Sequence, residues 1–207
     1  MFRCELGLMP GLVRAVAAGD GARAAIVADH VVLITGALAA HHRGEDDHLW
    51  PVLRERCPEQ CAPLVAVMTD QHYAIHERFA PVEKAAESWR RTASTDTRDA
   101  LAETVEQLRR VTTEHLVFEE ERVVPLIEEY LTESEYAKGA QEARAAIPSD
   151  LLPMAIGMTI YIYEGDPGGI EVIVRALPAG FEDRGAAAYA AYAEKVYGTA
   201  TPPRATD

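Results

Sequence analysis

The sequence predicts an all-α protein, a bundle of four long helices followed by a shorter helical extension. Three observations predict it. Of 207 residues, 48% are hydrophobic and only 7% aromatic, and Ala, Leu, Glu and Arg, good helix formers, outnumber the β-branched alternation of strands. The long stretches between prolines carry apolar residues three and four apart, the spacing of one helix face. A chain of this length buries a core large enough for one domain plus an extension, which excludes disorder.

The first helix starts almost at Met1 and stops at Gly19-Asp20-Gly21, where Gly and Asp supply turn conformations. A second runs from Ala22 to about Cys57, with Ile26, Val27, Val31, Leu33, Ile34, Leu38 and Leu49 at helical spacings and a kink expected near Pro51. A third spans about Leu64 to Arg91, and a fourth about Ala100 to Leu131. Residues 1–131 form the bundle in this reading. Residues 132–207 form shorter helices broken by Pro148, Pro153, the Asp166-Pro167-Gly168-Gly169 turn and Pro178, ending in a Pro-rich tail.

Charge and composition limit the partners. There are 33 acidic against 20 basic residues, a net charge of −13, which repels phosphate backbones and anionic lipid and favours cations. No nucleic-acid partner is expected. The longest strongly apolar run, Leu151 to Ile162, is too short for a bilayer, so no membrane partner is expected either. Met1 to Pro10 lacks the apolar core of a secretion signal, which points to the cytoplasm. Cys4, Cys57 and Cys61 are an odd set, expected as reduced thiols; the C-x3-C spacing is not that of zinc or thiol-redox motifs.

Chemistry concentrates in a repeated motif. His41-His42-Arg43-Gly44-Glu45 followed by Pro51 aligns with His115-Leu116-Val117-Phe118-Glu119 followed by Pro125, both reading H-x3-E-x5-P. Residues four apart share a helix face about 6 Å apart, so His41 with Glu45, and His115 with Glu119, can approach one metal centre. His72 and His76 repeat that spacing on the third helix. With 33 acidic residues in 207, about one His in six has a carboxylate four residues on by accident; two such pairs and the His72–His76 pair, on three different helices, are the stronger signal. The opposite possibility is a bundle whose His and Glu lie on solvated faces, with His42 and Asp46 the exposed version of the motif. Against it, Leu116, Val117, Phe118, Val123, Val124 and Leu126 surround the acidic cluster of the fourth helix, and a buried Glu needs a partner. Imidazole and carboxylate together suit a transition metal rather than calcium or magnesium.

H-x3-E on one helix, H-x3-H on the next and H-x3-E on the last resemble the hemerythrin, or HHE cation-binding, domain, over roughly Met1 to Leu131. The resemblance implies an up-down four-helix bundle holding two irons. His72, His76 and His115 would ligate one and His41 the other, with Glu45 and Glu119 as bridging carboxylates. The family also supplies a His from its first helix, and Met1 to Ala18 contains none; a His upstream of Met1, or water, Cys4 or Glu5, would fill that position. Some members use a carboxylate five residues after the last His, here Glu120, but the internal repeat aligns Glu119 with Glu45. His30 is too far along its helix for the same centre, and His48, whose repeat counterpart is Arg122, is at most a supporting residue.

The expected function is therefore that of a non-haem di-iron protein, a binding protein rather than an enzyme, taking O2 or NO for sensing, storage or detoxification. An iron-dependent redox enzyme is the second class. Ferritin-like bundles use two Glu-x-x-His motifs, and only Glu45-Asp46-Asp47-His48 is present here. A metal-poor interaction module, working through the extension and Tyr189, Tyr192 and Tyr197, is the third.

Overall fold

A computed structural model describes residues 1–145, 147–164 and 180–204. Among them every regular element is helical: α1 (Phe2–Arg14), α2 (Gly21–Gly44), a π-helical segment (Glu45–Leu49), α3 (Trp50–Arg56), α4 (Pro58–His76), α5 (Phe79–Thr92), α6 (Thr95–Arg122), α7 (Val124–Tyr130), α8 (Glu133–Ala145), α9 (Leu152–Tyr163) and α10 (Phe181–Tyr197). The Asp166 to Gly169 turn and Pro178 lie outside the described residues. The chain forms two compact units, Met9–Ala146 and Met1–Leu8 with Ile147–Asp207.

Within Met9–Ala146, α2 packs on α5, α5 on α6 and α4 on α6, while α3 lies against α4 and α7. α8, which the sequence reading placed in the extension, packs along α2 and the π segment of this unit. The Arg56 guanidinium donates to both carboxylate oxygens of Glu135, at 2.9 and 2.6 Å, and to the Tyr130 carbonyl. At the other end, Gly19 turns the chain at φ +83°, and its N–H donates to the Ala93 carbonyl at 2.8 Å. Asp20 caps α2 by accepting from the Arg23 N–H, and Ser94 caps α6 by accepting from the Thr97 N–H. Arg98 donates to the Val16 carbonyl at 3.1 Å.

Three of the expected long helices are interrupted, each at a place set by a proline. A proline at position i leaves the carbonyl at i−4 without its amide partner and crowds it. For Pro51 that carbonyl is Asp47, inside the π segment; for Pro81 it is Glu77, where α4 gives way to α5; for Pro125 it is Glu121, next to the α6–α7 junction at Val123. The single third helix expected from Leu64 to Arg91 is thus two helices. Pro10 and Pro63 are accommodated inside α1 and α4.

Two further expectations are corrected. Cys57 and Cys61 form a disulfide rather than thiols: Cys57 joins α3 to α4 with non-helical backbone (φ −136°, ψ 59°), which turns its side chain toward Cys61 one turn on. The apolar run that reaches bilayer length is not Leu151 to Ile162 but lies in the continuous stretch Gly21–Arg56, with a window of mean hydropathy 1.6. Half of that window is buried inside the protein, as in a core helix.

In the other unit, α9 crosses α10 at paired glycines. A Cβ at Gly157 would stand 1.9 Å from the Gly185 carbonyl oxygen, so only hydrogen fits there. Tyr189 is buried, and the Tyr197 hydroxyl donates to the buried Glu5 carboxylate. Gly157→Ala is expected to lower stability by roughly 1–3 kcal/mol through overpacking, read as a lower thermal midpoint and faster proteolysis within α9 and α10. An unchanged midpoint would contradict the close approach.

Candidate metal centre

Three helices deliver the polar residues of one buried cluster. α2 and the π segment bring His41, His42, Glu45 and Asp46; α4 brings Gln71, His72 and His76; α6 brings His115 and Glu119. The helix faces explain which of these point inward. One line of buried residues runs along α2 through Val27, Val31, Ile34, Leu38 and His42, along α4 through Cys61, Val65, Met68, His72 and Ile75, and along α6 through Leu101, Val105, Leu108, Thr112, His115 and Glu119. Each is a spacing of three and four, an apolar stripe that turns polar only near the helix end. The widened π turn then places Glu45 inside, and the Trp50 N–H reaches back five residues to the Glu45 carbonyl.

The donors fall into two groups. One nitrogen each from His42, His72 and His115 lie within 4.8 Å of one another, and so do one donor atom each from His41, Glu45 and Glu119. Glu45 touches both: its Oε1 is 3.1 Å from His41 Nε2 and its Oε2 is 3.3 Å from His72 Nε2. Glu119 Oε2 stands 4.0 Å from His115 Nε2. The other ring nitrogens are anchored from outside, with His72 Nδ1 2.9 Å from Asp46 and His115 Nδ1 3.2 Å from the Gln71 amide oxygen. This is how ligating imidazoles are held in orientation. Trp50, fully buried, closes the base of the cluster beside His72.

Of the residues expected from sequence, His41, Glu45, His72, His115 and Glu119 are thus in the two groups. His76 stands in neither; its Nε2 is 3.3 Å from His42 Nδ1. Glu119 is buried and Glu120 exposed. His30 is a buried α2 residue, and His48 belongs to neither group. The reading of His42 as an exposed copy of the motif is overturned: it is 0% exposed, whereas its neighbour His41 keeps a third of its side chain accessible. The α2 stripe, continued one turn past Leu38, was the signal that identifies it.

Burial and mutual charge set the protonation. Burial, with His72 beside it, keeps the His42 imidazole neutral, and the same two causes lower His115 to about 4. Burial opposes charge on His72, but hydrogen bonds to Asp46 and Glu45 raise its pKa. Burial opposes charge on Glu45 too, yet His41 and His72 hold it ionised. Burial and the Glu45 carboxylate push Glu119 up to about 9, so at neutral pH it carries a proton and shares it with Glu45. The cluster fits a metal on its own evidence. His42 Nε2 and His115 Nε2 are buried with no hydrogen-bond partner, an arrangement that costs stability unless something binds there.

The chain matches the family model described as "Hemerythrin HHE cation binding domain" over residues 6–127, more than half of its length. The chain belongs to the hemerythrin HHE cation-binding family. No curated protein and no solved structure matches it significantly. Cation binding is the property this family membership carries, and the two His and Glu groups are where this HHE chain could hold a metal.

The raised Glu119 pKa has a sign that can be tested in the metal-free protein. Folding holds a proton that the unfolded chain releases in the ordinary carboxyl range, so this stability is lost as pH rises toward about 9. His72, also raised, acts in the same direction. His42 and His115, both lowered, are neutral in either state above pH 6.5 and add nothing there. Thermal unfolding of the metal-free chain is expected to show stability falling between about pH 6.5 and 9 by roughly 1 kcal/mol per pH unit, and Glu119→Gln is expected to flatten the fall. A fall of the same size in the variant would contradict the assignment.

Proposed function

We propose that this HHE protein holds two iron ions in an up-down four-helix bundle and binds a small diatomic ligand, O2 or NO, for sensing, storage or detoxification. The observation that carries it is the position of Glu45, whose two oxygens face one imidazole from each donor group, His41 and His72. A carboxylate so placed is suited to bridge two cations and neutralise part of their charge. His72 and His115, with His76 beside them, would hold one ion and His41 the other, Glu45 and Glu119 serving both. When bound, iron in such a donor set supplies a redox-active centre able to take a diatomic ligand at an open position.

The chain's own residues do the rest. Trp50 and the buried apolar side chains Leu49, Leu53, Met68 and Val123 keep bulk water from the base of the cluster. Asp46 and Gln71 fix the ring orientation of His72 and His115. Glu119 holds a proton at the edge of the cluster, which must leave before its carboxylate can ligate. The open face is on the His41 side, where that side chain is a third accessible. His48, in neither donor group, gives no support to a ferritin-like arrangement.

The test is elemental analysis of protein from iron-grown cells, followed by reduction and exposure to O2 or NO under visible spectroscopy. Close to two irons per chain and a ligand-dependent, reversible change of the charge-transfer bands are expected. His115→Ala should cost most of the bound iron. Wild-type protein without iron, or with iron whose spectrum ignores both gases, would overturn the proposal.

A further inference from the structure

We infer that His42 is itself a metal ligand, adding a nitrogen to the imidazole side of the centre beyond those that the family resemblance assigns. The inference rests on the metal reading above and deepens it.

Three independent observations lead there. The first is placement. His42 continues the buried stripe Val27, Val31, Ile34, Leu38 and is 0% exposed, although an imidazole at a stripe position has no packing advantage over another leucine. The second is its company. The ring stacks on His72 with centroids 4.1 Å apart and meets His115 edge-on at 5.0 Å, and it supplies one of the three nitrogens that converge within 4.8 Å. Its Nδ1 lies 3.3 Å from His76 Nε2. That contact orients the ring from the outer side and leaves Nε2 for the cluster. The third is its unmet bonding: His42 Nε2 is buried without a hydrogen-bond partner.

Helix geometry makes the arrangement economical. Consecutive residues are about 100° apart around the axis, so His41 and His42 at the end of α2 serve different groups, His41 beside Glu45 and Glu119, His42 beside His72 and His115. The centre is therefore asymmetric, with an imidazole-rich position and a carboxylate-rich one. The imidazole-rich position suits nitrogen-preferring divalent cations such as cobalt, copper or zinc as well as iron, and it should fill first with those ions.

The full chain, stripped by chelation, can be titrated with Co(II) for affinity, and with one equivalent of Cu(II) for counting coupled imidazoles by pulsed electron paramagnetic resonance. Wild type, His42→Phe, His42→Gln and His115→Ala are compared, with circular dichroism to confirm folding; Phe keeps an aromatic ring in the stacked slot, and Gln is the second choice if Phe does not fold. Both His42 variants are expected to weaken the first equivalent by at least about tenfold and to show one fewer coupled imidazole, as His115→Ala does. Wild-type affinity and imidazole count in the His42 variants, with His115→Ala defective, would overturn the role of His42 and leave the metal reading intact. Failure of the wild type to bind Co(II) or Cu(II) would overturn both.

Discussion

Glu45 is buried and ionised, and the cluster around it is arranged to meet that constraint. A carboxylate removed from water is costly unless charge and hydrogen bonds compensate, and here the compensation comes from different helices: His41 one turn earlier, His72 from α4 and the shared proton of Glu119 from α6. Removing any one leaves a buried charge. The helices that carry these groups are thereby tied to one another at one level of the bundle. A metal centre would take over the same duty, replacing a proton and the contacts around it with ligand bonds.

The backbone prepares the place. Pro51 withholds the amide that the Asp47 carbonyl would take in an unbroken α-helix. The π turn absorbs that defect and sits where the carboxylate is delivered. Pro81 and Pro125 act similarly just beyond His76 and Glu119, so the two later ligand segments also end close to the level of the cluster. Prolines at these positions define where straight bundle helices give way to the bottom of the site, which Trp50, Leu53, Met68 and Val123 fill.

The helical class, the existence of the long segments and the H-x3-E pairs were legible because they depend on local spacing. The internal repeat also aligned Glu119 with Glu45, and Glu119 is the buried one of the two candidates. What was not legible depended on phase. His41 and His42 differ by one residue, and a motif written as a spacing does not say which of them faces the core; the stripe through Leu38 does. His76 was paired with His72 by spacing; it stands against His42 outside the two donor groups, while the α4 stripe passes through Ile75 beside it. The break at Glu77 required counting four residues back from Pro81, and the Cys57–Cys61 pairing required knowing that Cys57 leaves helical geometry.

X-ray absorption fine structure of the iron-loaded full chain tests most directly whether Glu45 joins two ions. A metal–metal vector near 3.5 Å, lost in Glu45→Ala, is the predicted result. A spectrum described by a single ion with nitrogen and oxygen neighbours alone, in protein carrying its full iron complement, would contradict it.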